Sequence, residues 1–495
     1  MIRLASAPPG AFVSRPERVV KWAILAAGLV ILLATLMGLT LEVAAIGVLG
    51  LVAAVAWRWP AATAVFFVVF TPINRFVIAL LFLALHSTSL DKFGLLWKDA
   101  LVAILVLRVL YAALFSTKPI KLRYLDVLVV AFIVLTAIYL IYPGSLHTDL
   151  FTRVQGFRTD ASFLFAYFIG RAITVERRHV RWMVLGLIPG SILLFAVAMF
   201  EFIAPTAAAH YVSMLGISDF ETVRDRSISG VDLHRASALM GDLALSFYQM
   251  VVVALASALY VQSTGRRRWL SGLFLLMMTA TLVATLTRSA IITALVVVAL
   301  TGLLARRPLQ IAIVAVAAGA AGLVAFVVSG IGVDQLQRLL NLEDASTRGH
   351  LNALQRSLTV MQGQPLGRGL GTAGTIGQRF VGNLAITNEN WYLQLGTEMG
   401  VIAAVLYLLI VAMLAVLCFK SYFEVHDFWL KTMALGIGAG AVGFLILGNF
   451  LHAWENTVLS MAFWLLAGVV VRARDLETAP EYRETSVPAP ESASP

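Results

Sequence analysis

The chain is short of charge and almost without cysteine. Only 13% of its 495 residues are Asp, Glu, Lys or Arg, whereas 60% are hydrophobic. A soluble domain carries roughly 25% charged residues, so there is too little polar surface here to cover a water-soluble body of this size. The single cysteine, Cys418, lies within an apolar run, which excludes an internal disulfide and a cysteine metal cluster. Zinc-finger spacing, an RNP-like aromatic patch and a basic helix are also missing. Without them, the excess of 37 Lys and Arg over 27 Asp and Glu does not point to nucleic acid. It reads instead as basic loops facing anionic lipid on one side of a membrane. No internal repeat is evident, which counts against inverted-repeat transporters.

What the chain has in quantity is long apolar runs. A spanning helix needs about 20 mostly apolar residues. Such segments fall near 22–41, 43–57, 61–84, 97–115, 124–142, 161–175, 182–203, 240–262, 269–287, 289–305, 308–330, 391–419, 429–448 and 454–471. The fold class is therefore all-α: a polytopic integral membrane protein of about 12–14 transmembrane helices with a large ordered outer loop. Thr71-Pro72-Ile73-Asn74-Arg75 interrupts the third run, so that 76–85 reads as a continuation, a re-entrant turn or an interfacial piece. Arg3, Arg15, Arg18 and Lys21 before the first run resemble a signal peptide, but the run is long enough to span and further runs follow at once.

Orientation follows from the basic clusters. With the N-terminus inside, Lys118/Lys121/Arg123, Arg177/Arg178/Arg181, Arg266/Arg267/Arg268 and Arg306/Arg307 all fall on the cytoplasmic side. Both termini are then cytoplasmic, and three long outer segments remain near 143–160, 204–239 and 331–390. The chain divides into a cytoplasmic start (1–21), N-terminal transmembrane helices (22–234), a second membrane portion with its outer loop (235–471) and a Pro/Glu/Ser/Thr-rich tail (472–495) that reads as disordered.

The outer segments hold many arginines although the positive-inside rule disfavours them; Arg153, Arg158, Arg235, Arg288, Arg348, Arg356, Arg368 and Arg379 are among them. Guanidinium is the side chain best suited to grip phosphate in a fork. Arg288, between two apolar runs, either snorkels to the interface or faces a polar cavity. Arg235, beside His234, either anchors headgroups or serves the same cavity. Gly369-Leu370-Gly371-Thr372-Ala373-Gly374 makes a GxGxxG string after Arg368. It lacks the strand and cytoplasmic setting of a dinucleotide site, so it is a glycine loop whose amides approach an anion, or a plain turn. Glu389, followed by Asn390 and Tyr392, opens the twelfth run, where a carboxylate either complements a helix N-terminus or works as a base. His350 is the single histidine of the large loop.

In chain order, RASALMGDLALS, TLTRSAI, STRGHL with PLGRGLGTAG, and ENWYLQLGTEMGVIAAVLYLL resemble the successive blocks of the O-antigen ligase and polymerase family over residues 235–410. Members are bacterial membrane glycosyltransferases. The resemblance implies an inner-membrane enzyme that moves a glycan from a polyprenyl-diphosphate carrier to an acceptor hydroxyl, on a sugar or another lipid-linked sugar, without metal or cofactor. Carried over by position, Arg235 and Arg288 match the arginines of the first two blocks and would bind the diphosphate with Arg368. Glu389 would be the base, assisted by His350, with Asn390, Tyr392, Gly369 and Gly371 in support. Glu389-Asn390 stands where ligases have His-Asn, a form met among polymerase-like members, so the acceptor stays open. The rival reading is a transporter or flippase of lipid-linked saccharides, which should keep its polar residues at mid-membrane rather than at one face.

Overall fold

A computed structural model describes residues 42–78, 88–115, 122–142, 144–214, 225–228, 231–238, 240–313, 319, 345–386, 389–479 and 482. The expected span at 22–41, most of that at 308–330, the first part of the long loop and the chain beyond 482 lie outside the described residues. The fold is an all-α membrane bundle with one small hairpin. In order, the helices are α1 (Glu42–Arg58), α2 (Pro60–Phe70), α3 (Thr88–Phe115), α4 (Tyr124–Ile141), α5 (Leu150–Asp160), α6 (Phe165–Ala172), α7 (Arg177–Leu185), α8 (Leu187–Ile203) and α9 (Pro205–Met214). The antiparallel pair β1 (Asp225–Ile228) and β2 (Val231–His234) follows, with Asp225 opposite His234. Then come α10 (Asp242–Gln262), α11 (Gly265–Ala284), α12 (Arg288–Leu304), α13 (Ala345–Gly363), α14 (Gly374–Phe380), α15 (Trp391–Met399), α16 (Val401–Glu424), α17 (Phe428–Leu447), α18 (Thr457–Val471) and α19 (Ala473–Thr478).

Six stretches among the described residues are long and apolar enough to cross a membrane, from Pro60–Ile78 to Phe428–Leu447, and three shorter apolar helices accompany them. Side-chain caps set several starts. Asp427 accepts from the amides of Trp429 and Leu430 at 2.9 and 3.0 Å, Asn390 from Leu393 at 3.0 Å, and Asn456 from Leu459 at 3.3 Å. Each satisfies an amide that the first turn leaves without an intrahelical partner.

The centre of the bundle is α10, α17 and α18. Most of the α10 window is buried, 83%, against 33% for α4, whose outward side faces lipid. α18 is buried at nearly every position from Val458 to Val471, and α6 crosses it where Gly170 and Gly468 bring the two backbones into contact. Phe163, Trp391, Tyr407, Trp454 and Trp464 form a buried aromatic knot joining α15, α16 and α18.

Three expectations change. The run at 391–419 is not one helix: Gly400, at φ 82°, ends α15 and starts α16, so Glu398 stands outside the span Val401–Glu424. A side chain at that φ is strained, and glycine alone turns there without cost. The third run bends at the 3-10 turn Thr71–Ile73, where Pro72 cannot donate its amide. Finally, the tail does not begin at 472. α19 docks through buried Leu476; Asp475 pairs with Arg123 at 3.0 Å, and Tyr482 donates to Asp427 at 2.9 Å. Composition suggested disorder, but one apolar residue and two polar anchors are enough to fasten this short piece.

Candidate active site

α10 and α17 run antiparallel, so the start of α10, the end of α11, the start of α12 and the end of α17 share one end of the bundle, here called the Arg288 end. The amide of Ala236 donates to the Ala284 carbonyl at 3.0 Å, which draws the turn after Arg235 onto the last residue of α11. The Ser246 hydroxyl then lies 3.0 Å from both the Thr285 and the Thr287 hydroxyls, tying α10 to the turn that presents Arg288. The two arginines expected to act together are thus hung on adjoining turns. Both turns contain a non-glycine residue in the left-handed region, Ala238 at φ 43° and Leu286 at φ 51°. Such residues cost about 1–3 kcal/mol and persist where surrounding contacts over-determine them. The contacts are visible at the first turn: buried Glu201 at the end of α8 accepts from the amides of Ser237 and Ala238 at 2.5 and 2.8 Å.

His350 and Glu389 also meet. Nε2 of His350, on α13, lies 3.3 Å from Oε2 of Glu389, and both side chains are about half exposed. Asn390 caps α15 and donates to the Asn449 carbonyl at 3.1 Å, while the Trp391 amide donates to Gly448 at 2.8 Å. These bonds fix Glu389 at the end of α17. Tyr392 is a supporting residue in the literal sense: its hydroxyl donates to the Phe444 carbonyl at 3.0 Å.

The glycine loop behaves differently from either sequence-level reading. Its amides do approach an anion, but the anion is the protein's own Glu398. Oε1 of Glu398 accepts from Ala373 at 2.8 Å and the same carboxylate accepts from Gly371. The Gly369 amide donates to the Glu398 carbonyl at 2.9 Å and the Arg368 amide to Thr397 at 2.8 Å. Gly371, at φ 72°, leaves no room for a β-carbon, which would fall 2.7 Å from the Thr152 carbonyl. The loop is therefore a rigid clasp on the C-terminal end of α15. Arg368 sits at that end and Glu389 precedes the other, about 13 Å away along the axis at 1.5 Å per residue. Of the expected site residues, Arg368, Gly369 and Gly371 are held at the end of α15 opposite Glu389.

Behind the clasp lies a cluster that sequence reasoning did not single out. Asp160, at the end of α5, is fully buried, with Glu398 and Gln394 beside its carboxyl. Burial, reinforced by the Glu398 carboxyl beside it, holds the Asp160 acid well above the usual carboxylate range, and burial raises Glu398 as well. Two carboxyls facing each other away from water are costly to ionise together, so the pair retains a proton above the usual carboxylate range. His452 Nδ1 lies 3.0 Å from Gln394 Oε1, and Glu455 accepts from the Thr375 amide at 3.1 Å. The available signal was Gln394 and Glu398, four residues apart on one face of α15.

Next to the Arg235 turn, a cavity of about 360 Å³ opens between Asn74, Arg75, Lys98, Met240, Gly241, His452, Glu455 and Asn456. None of the expected site residues lines it. Its volume falls among small-molecule sites, roughly 300–1,000 Å³, and its lining mixes Arg75 and Lys98 with the Glu455 carboxylate and neutral donors and acceptors.

Residues 272–408 match the family model described as O-Antigen ligase (Wzy_C). The matched segment runs from α11 to the first turns of α16, and so includes Arg288, His350, the glycine clasp and Glu389. A search of curated proteins finds no match. A multi-pass membrane fold carrying an O-antigen ligase segment defines a bacterial membrane enzyme that processes glycans.

Proposed function

We propose that this chain is an inner-membrane glycosyltransferase that moves a glycan from a polyprenyl-diphosphate carrier to an acceptor hydroxyl. It would act at the outer face, in O-antigen or exopolysaccharide polymerisation or ligation, with both termini cytoplasmic. The observation that carries the reading is the common location of two arginine turns and a histidine–glutamate pair at one end of the bundle, most of them within the matched segment.

In this reading Arg235 and Arg288 grip the diphosphate, offsetting the charge that grows as the glycosidic C–O bond breaks. Glu389 accepts the proton of the acceptor hydroxyl, whose oxygen attacks the anomeric carbon from the opposite face and inverts it. His350 sits close enough to orient Glu389 or to take the proton onward. The products are a lengthened or transferred glycan and polyprenyl diphosphate. Atoms and charge balance without metal or cofactor. Arg368, at the far end of α15, would meet the diphosphate side of the donor rather than the acceptor side.

The test is purified protein in liposomes with lipid-linked glycan and acceptor, read by gel for new glycan and by chromatography for released polyprenyl diphosphate. Glu389→Gln keeps the side chain's shape but cannot take a proton, and a lost general base costs about 10²–10⁴-fold. Near-complete loss of product at normal donor binding is expected. Lipid-linked glycan that crosses the bilayer uncleaved would overturn the enzyme reading, and a Gln variant within a few-fold of wild type would remove Glu389 from it.

A further inference from the structure

At the other end of α10, α11 and α17, a second cavity of about 760 Å³ opens between α7, α8, α10, α11 and the start of α17. Its lining has two halves. One half carries Arg177, Arg178, Arg181 and Arg267, and the other is apolar, with Ile192, Leu259, Leu273 and Met277 along the membrane helices and Leu273 and Ile192 open at the surface. It lies a full α10 length from the candidate active site, about 30 Å for 21 residues at 1.5 Å each.

The charges of the basic half are not equivalent. Arg177 is neutralised by Asp427 at 2.6 Å and Arg178 by Glu176 at 2.7 Å. Arg181 lies over the Trp429 ring at 5.8 Å and has no carboxylate within ion-pair distance among the described residues; neither has Arg267. Two uncompensated guanidiniums thus flank a groove whose floor is too apolar for water to be a favourable filling. Exposed Trp182 beside them is suited to the boundary between headgroups and acyl chains. α7 is shaped for that boundary. Val180, Met183 and Val184 face inward, while Arg178, Arg181 and Trp182 face out.

The geometry points to a built binding site for one anionic phospholipid, its headgroup phosphate between Arg181 and Arg267 and an acyl chain along the Leu273 and Met277 groove. The occupant must be a lipid rather than a soluble phosphate because the larger part of the cavity is apolar and opens on the membrane helices. Basic pockets between spanning helices recognise acidic headgroups for the same reason: in the interface each near-surface cation strengthens binding about fivefold. This site is independent of the catalytic proposal.

The full chain in detergent, titrated with phosphatidylglycerol or phosphatidylcholine and read by native mass spectrometry, tests it. Phosphatidylglycerol should be retained at least tenfold more tightly. Arg267→Ala should weaken it roughly fivefold and the pair Arg181→Ala/Arg267→Ala about 25-fold. The Arg267 side chain makes no hydrogen bond or ion pair among the described residues, and its carbonyl keeps the Ser271 bond in an alanine variant, so the single variant stays interpretable if the double misfolds. Arg266→Ala removes the same charge one residue outside the cavity and should change nothing. Equal binding of phosphatidylcholine, an equal loss in Arg266→Ala, or equal binding of water-soluble glycerophosphoglycerol would each overturn the site.

Discussion

The two ends of the bundle treat charge in opposite ways. At the Arg267 end, buried acids meet bases. Asp126 lies 2.9 Å from Arg171 and also accepts from Tyr167 at 2.5 Å, and Asp427 lies 2.6 Å from Arg177. At the Arg288 end, two buried acids face each other. Asp160 and Glu398 lie together with Glu455 nearby, while Arg158 and Asp99 pair at 2.6 Å at the half-exposed edge. Opposite charges in contact settle each other and leave a rigid joint. Two acids facing each other away from water are costly to ionise together, and a retained proton offsets that cost. The first arrangement fastens helices, whereas the second suits a site that must handle a proton.

The largest break in this comparison is at Arg288. If its charge serves a diphosphate, Arg288→Lys should lose transfer almost as fully as Arg288→Ala, since an ammonium cannot fork across two phosphate oxygens. Product by gel, with membrane protein level as control, measures it. Full activity in the lysine variant would reduce Arg288 to an interfacial anchor.

Much of the bundle was legible because an apolar run of spanning length has few alternatives. The runs at 124–142, 240–262 and 429–448 match α4, α10 and α17 within two residues. The split at Gly400 was not, since hydropathy continues across it while the backbone turns. His350 with Glu389, and Arg235 with Arg288, were proposed partners that do share their surroundings. Asp160 was invisible because its partner sits on a distant element, and nothing local marks an acid whose neighbour is another acid. For the glycine string the sequence left open a loop approaching an anion or a plain turn, and could not say that an anion there would belong to the chain itself.

The second break is structural and smaller. Arg171 and Asp126 are both about 95% buried or more in their side chains. Arg171→Met leaves a carboxylate in a low-dielectric interior, a loss of about 3–5 kcal/mol where such pairs have been broken. A clear drop in the thermal midpoint in detergent is expected. Arg171→Met/Asp126→Asn should recover much of it, because an amide oxygen still accepts from Tyr167 and from the Arg123 amide without carrying charge. A double variant no better than the single would mean that lost packing, not a stranded charge, sets the cost.

The smallest effect is a pH dependence at the opposite end. Asp160 and Glu398 both have carboxyls raised by burial, Asp160 further by its acidic neighbour. Above the ordinary carboxylate value of about 4, the unfolded chain releases protons that the folded pair retains. The stability this contributes is complete below that value and is lost as pH rises through the raised folded values. The clasp should therefore loosen toward alkaline pH. Asp160→Asn supplies an amide donor to Glu398 at every pH, so the retained proton is no longer needed. The other groups facing the pair, Glu455 and, through Gln394, His452, are the same in both proteins. Thermal midpoints from pH 5 to 9 should fall less steeply in the variant, by a few degrees at the alkaline limit, with the two curves converging at the acidic one. Parallel curves would show that the two acids do not hold a proton between them. The contrast between the two ends would then rest on the arginines alone.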